Sequence, residues 1–92
     1  MPKTTLPAWT GTSAMIDLPP MSQPAKRSVT IDGHRTSVSL EDPFWRLLTA
    51  EARARDMTRA ALIGQIDHAR PPDVGLATAL RLFVLHCLTT KD

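Results

Sequence analysis

The stretch Arg35-Thr36-Ser37-Val38-Ser39-Leu40-Glu41-Asp42-Pro43-Phe44-Trp45 constrains this chain more than any other. Val38 and Leu40 alternate with Ser37 and Ser39, a period of two that places apolar and polar side chains on opposite faces of a strand. The strand runs directly into a helix start, and two helix-length segments follow almost without a break. One strand cannot bury its own apolar face or satisfy both of its edges. The pattern therefore asks for a second copy of itself.

Upstream, Ser28-Val29-Thr30-Ile31 also alternates, and Asp32-Gly33 between the two runs is a strong two-residue hairpin signal. Gly33 can take the positive φ that a type I′ turn requires. The spacing predicts a β-hairpin with Val29, Ile31, Val38 and Leu40 on its buried side.

Asp42-Pro43 predicts a helix start, with Asp42 as N-cap and proline at the first helical position, where a missing N–H does no harm. Phe44, Leu47, Leu48 and Ala52 make an apolar stripe to about residue 55. After the break at Asp56-Met57, Thr58 is a suitable cap for a second helix carrying Ala61, Leu62, Ile63 and Ile66. Pro71-Pro72 stops it, since proline disfavours helix in the residue before it. A third helical segment, Leu76 to Leu88, is apolar almost all round, interrupted mainly by Arg81 and His86. Such a helix is expected to be buried on several sides. A domain of ~65 residues does not readily achieve that alone, so oligomerisation is expected.

Composition sets limits on function. Eleven basic and nine acidic residues give a net charge of +2, too mild to announce a polyanion partner. Eight of the basic residues are arginine, however, the type suited both to phosphate forks and to carboxylate pairing. A single cysteine, Cys87, excludes an intramolecular disulfide and fits a reducing cytoplasm. No signal-peptide pattern is present, and no apolar run approaches the ~20 residues needed to span a bilayer. Cytoplasmic localisation without membrane attachment is the expectation. Residues 1–25 hold five of the eight prolines and no periodicity, which predicts a flexible tail ahead of a folded domain at 26–90. Trp9 and Met15-Ile16-Asp17-Leu18 suit either a tail resting on its own domain or a short motif for a protein partner.

Strand, helix, short turn and helix in this order resemble the ribbon-helix-helix fold of the MetJ/Arc-type repressors. The chain is similar, more closely, to a small bacterial ribbon-helix-helix domain family of largely uncharacterised members. The resemblance is carried by Thr36-Ser37, Leu40-Glu41, Phe44-Trp45, Leu48, Leu62-Ile63, Ile66-Asp67 and Arg70. It continues through Leu76-Ala77-Thr78-Ala79-Leu80-Arg81 and Phe83-Val84-Leu85, so that it spans about Lys26 to Leu88. It implies a mainly α fold with a short β-ribbon, preceded by a hairpin strand, followed by a third helix, and assembled as an intertwined homodimer. Strand 34–41 would pair with its mate. Val38, Leu40, Trp45, Leu48, Leu62, Ile63 and Ile66 would form the dimer core.

The function implied is that of a homodimeric DNA-binding protein, a transcriptional regulator whose β-ribbon reads the major groove of double-stranded DNA. Arg35, Ser37, Ser39 and Glu41 map onto base-facing positions, and Arg27, Thr58 and Arg59 onto phosphate-holding ones. Ser37 and Ser39 read equally well as the solvated face of a half-buried strand. Glu41 places a carboxylate where phosphate repels it, and an extra hairpin strand widens the sheet. The alternative is a dimeric protein–protein interaction module that keeps the fold without DNA binding, its contacts made through the tail or the sheet face.

Other constellations are bland. Asp67 pairs either with Arg70, three residues on, or across the core with Arg81. His34, His68, His86 and Cys87 have no metal-ligand spacing, and no nucleophile–base set, phosphate loop or carboxylate pair stands out. The reading is of a protein without cofactor, metal or enzymatic activity.

Overall fold

The computed structural model describes residues 16–90. The expected tail, with Trp9 and Met15, lies outside them through position 15, and residues 16–24 are exposed and form no helix or strand. Five elements follow: strands β1 (Ala25–Ile31) and β2 (His34–Leu40), then helices α1 (Asp42–Ala54), α2 (Arg59–Ala69) and α3 (Leu76–Thr90).

β1 and β2 form one antiparallel hairpin, paired from Ile31↔His34 to Ala25↔Leu40. Its turn is the one expected at Asp32-Gly33, with φ of 53° and 78°. Two successive positive φ values match the right-handed strand twist, which is why this dipeptide turns here. β1 begins earlier than the alternation suggested, because Ala25 to Arg27 continue the ladder opposite Val38 to Leu40.

The helix boundaries follow capping chemistry, with one correction at α1. Glu41, not Asp42, occupies its N-cap position, in extended conformation and without a side-chain cap bond. The Asp42 carboxylate is drawn instead to Arg46, one turn on, at 2.7 Å. α1 ends in a Schellman arrangement: Met57 N–H donates to Ala52 O and Asp56 N–H to Arg53 O, both at 3.0 Å. Asp56 takes the left-handed conformation (φ 59°) where glycine is commoner. Thr58 caps α2 as expected, its hydroxyl accepting from Ala61 N–H at 3.0 Å.

The core is built from one face of each element. Leu40, Leu48, Ile63, Leu80 and Val84 are fully buried, with Val29, Val38, Ala52 and Leu62 around them. Trp45, Ile66 and Ile31 are partly buried against this cluster. α2 packs beneath β1, α3 packs beneath β2, and all three helices touch one another. Every residue expected to form a dimer core is thus packed within a single chain. Within the chain, β1 gives β2 a neighbour, and α3 packs against β2 and the first two helices. α3 is only partly covered within the chain. It buries Leu80, Val84 and Cys87 but leaves Leu82, Leu85 and Leu88 exposed.

Candidate nucleic-acid interface

The hairpin register fixes which side chains share a face, because directly paired residues point the same way. Ala25, Arg27, Val29 and Ile31 lie with Thr36, Val38 and Leu40 on the inner side. The outer side carries Lys26, Ser28 and Thr30 from β1 opposite Ser39, Ser37 and Arg35 from β2, all exposed. This face holds two cations and four hydroxyls, with no acidic and no apolar side chain. Arg35, Ser37 and Ser39 are therefore brought together as expected. The β1 residues beside them escaped the sequence reading. Their signal was available: a two-residue turn at Asp32-Gly33 dictates the register that places them there.

Arg35 is held in a defined pose. Its Nε donates to Ser28 Oγ at 3.0 Å across the two strands. With Nε engaged, the two terminal nitrogens remain to make an end-on fork, the geometry that suits paired acceptors on a base or phosphate.

Glu41 departs from its expected role. Its carboxylate accepts two hydrogen bonds from Arg81 of α3, from Nε to Oε1 at 2.8 Å and from Nη2 to Oε2 at 3.1 Å. This fork, together with a bond to its own backbone, holds the Glu41 carboxyl below its ordinary range against the opposing effect of desolvation. The acid that follows the strand is thus paired with the third helix. Asp67 pairs with Arg70 at 2.9 Å, the local option rather than the cross-core one, and Arg70 also donates to Val74 O at 2.5 Å.

Two of the expected phosphate residues meet elsewhere. Arg27 lies on the inner side and donates to Leu40 O at 3.3 and 3.4 Å, while approaching Asp42 at 3.6 Å. Its side chain is only 19% exposed, so little of it can reach a polyanion. Its guanidinium stands 5.2 Å from the centre of the Trp45 ring, and that of Arg59 stands 4.1 Å from the same ring. Arg59 also donates to Thr49 Oγ1 at 3.0 Å. Arg59 opens α2 immediately after the Thr58 cap, where backbone N–H groups of a first turn lack intrahelical acceptors and favour an anion. The turn of the hairpin is tied to the same helix by His68 Nε2 and Asp32 Oδ2 at 2.7 Å.

The sheet formed by the described residues has two strands, so each strand keeps one open edge. With Ile31↔His34 closing a two-residue turn, β2 directs the N–H and C=O groups of Arg35, Ser37 and Ser39 away from β1. Among the described residues no helix is long and apolar enough to cross a membrane, and no cluster of side chains could hold a metal ion. A family model described as ribbon-helix-helix domain matches residues 24–88. No curated protein and no solved structure matches the chain.

Proposed function

Because the chain belongs to the ribbon-helix-helix domain family, whose members generally bind DNA as dimers, we propose that it is a homodimeric DNA-binding protein that regulates transcription in a bacterial cytoplasm. The observation that carries this reading is the outer hairpin face: Lys26, Ser28, Thr30, Arg35, Ser37 and Ser39, without a single carboxylate. Pairing β2 with its mate across the open edge would give a sheet of four strands ordered β1-β2-β2-β1. At about 4.8 Å between neighbours, the outer strand axes stand roughly 14 Å apart, against a major groove about 12 Å wide. The whole sheet does not enter. The central pair of β2 strands faces the bases with Arg35, Ser37 and Ser39, and the flanking β1 strands ride on the groove walls. There Lys26 meets phosphate rather than a base edge. Arg59 and the first turn of α2 hold the backbone further out, and Glu41 takes no part because Arg81 occupies it.

The test is a titration of the full chain against random-sequence duplex at several salt concentrations. Binding should weaken with a log–log slope of about −0.9 per neutralised phosphate, hence roughly −4 for one Lys26 and one Arg59 contact per protomer. A protein that binds no duplex at low salt is instead the interaction module, and the regulator reading fails.

A further inference from the structure

The β2 edge serves the proposed homodimer, but the opposite margin of the molecule has no such task. There β1 keeps an open edge among the described residues, in a solitary chain and in the proposed homodimer alike. The register that turns Arg35, Ser37 and Ser39 outward on β2 also turns the N–H and C=O groups of Ser28 and Thr30 outward on β1. Beside the end of that edge lies a cleft between the hairpin turn and α2. Thr30, Ile31 and Asp32 line one wall, and Ala61, Gly64 and His68 line the other. It encloses about 660 Å³, more than a single side chain fills. We propose that this margin docks a partner protein by strand addition: an extended segment pairs antiparallel with β1 and turns two alternate side chains, one basic and one apolar, into the cleft.

Three observations select this occupant. The first is the backbone. Ser28 and Thr30 each offer one donor and one acceptor side by side, and a residue of another extended chain answers both at once. Pro24 and Lys26 guard the start of the edge, as prolines and charges commonly do, whereas Ser28 to Ile31 carry no such guard. The second is the floor. Gly64 lies in the middle of α2, where glycine weakens a helix relative to alanine. A Cβ there would meet nothing nearer than Ile31 Cγ2 at 4.0 Å, so the chain's own packing does not call for glycine. The missing side chain leaves depth for one from outside. The third is charge. No lysine or arginine lines the cleft, and its carboxylate is Asp32. His68 Nε2 engages Asp32 Oδ2 at 2.7 Å, while Oδ1 makes no bond among the described residues and the side chain is 65% exposed. An ammonium group answers that free oxygen, and an anion is repelled by it. Directly paired residues share a face, so guest residues opposite Ile31 and Val29 turn inward. In an antiparallel segment the first stands nearer Asp32 and is the basic one. The second, two positions on, is the apolar one.

The probe is the peptide Thr-Lys-Thr-Leu-Thr, capped at both ends and titrated into the ¹⁵N-labelled full chain. Amide resonances of Ser28, Thr30, Ala61 and Gly64 should shift together, and those of Ser37 and Ser39 far less. Methylating the nitrogen of the central threonine removes its bond to the Thr30 carbonyl and should weaken binding by about tenfold. Exchanging the peptide's lysine for glutamate should cost a similar factor. Asp32→Asn should abolish the difference between those two peptides, since asparagine tolerates the positive φ of that position. Gly64→Leu fills the floor and should weaken the probe by about tenfold. Should that variant not fold, the methylated peptide decides the matter on the unaltered protein. A methylated peptide that binds as tightly as its parent, shifts confined to the β2 edge, or no binding at millimolar peptide overturns the inference. So does a synthetic peptide of residues 1–15 that displaces the probe, which assigns the cleft to this chain's own N-terminal segment. Shifts at Thr30 and Gly64 that grow with protein concentration alone assign it to a second copy, and overturn it equally.

Discussion

Leu48→Ala, measured at a dilution where sedimentation shows one chain, asks directly whether one molecule closes its own core. Leu48 sits at the middle of α1 with no exposed surface, surrounded by buried side chains from both strands and the other two helices. Truncation removes about three carbons' worth of transfer free energy, at ~0.8 kcal/mol each, and leaves a cavity that adds to the loss. Similar substitutions span roughly 2.7–5 kcal/mol, so about 3 kcal/mol is expected here. A domain of this length has a total stability of roughly 3–10 kcal/mol. Much of it should therefore disappear. With a urea dependence near 1 kcal/mol per molar for so small a domain, the unfolding midpoint should fall by about 3 M. The assay is urea unfolding followed by helical circular dichroism at a concentration where sedimentation shows one chain. Were Leu48 covered by a partner instead, it would already be exposed in the dilute, solitary chain, and truncation would cost well under about 1 kcal/mol. Such a small loss would refute the closed single-chain core.

Other perturbations follow from the same geometry. Arg35→Ala should reduce the preference for a selected duplex over random duplex by about tenfold to a hundredfold per half-site, measured by competition. Ser28→Ala should weaken that preference less and leave random-duplex binding unchanged, because Ser28 orients Arg35; equal losses on both duplexes would contradict this role. Glu41 has a lowered folded pKa, so its pairing with Arg81 stabilises the protein above the ordinary carboxylate range. As pH falls the unfolded chain takes up the proton first, stability declines, and the contribution is gone below the folded value. Glu41→Gln should accordingly flatten the acid limb of melting temperature against pH, and an unchanged limb would sink the assignment. Thr58→Ala should cost about 1 kcal/mol through loss of the α2 cap, and Thr58→Ser should restore most of it in the same thermal melts.

Local chemistry was legible in the sequence, and distant partners were not. Asp32-Gly33 and Thr58 each act through bonds to residues within three positions, so a short window contains the whole cause. The helix break at Asp56-Met57 is nearly as local, closed by bonds to Arg53 and Ala52, three and five positions back. Glu41 and Arg81 are forty residues apart, and each is an ordinary surface type with several candidate partners. No periodicity joins them. Arg27 misled for a related reason. Counted as a basic residue near a strand it suits a phosphate, but the register puts it opposite Val38 on the inner side, where the Leu40 carbonyl, Asp42 and Trp45 engage it. The alternation in β2 does not by itself tell which elements of the chain cover its apolar face. β1 and α3 together close that face inside the chain.

That packing bears on what the proposed dimerisation would do. In a fold whose core is shared, folding and association are one event, and a dissociated chain has no stable structure. Here Leu40, Leu48, Ile63, Leu80 and Val84 are buried within the chain itself. In the proposed homodimer, the open edge of β2 would then be a chief place where association acts. The consequence falls on recognition. Each protomer presents three β2 side chains outward, and only pairing through β2 sets two such rows side by side. Pairing through β1 would place Lys26, Ser28 and Thr30 at the centre and push the Arg35 forks to the rim, beyond the width of a groove. The edge that pairs therefore decides whether arginine or lysine faces the bases, and the terminal fork of Arg35 matches paired acceptors where a lysine ammonium cannot.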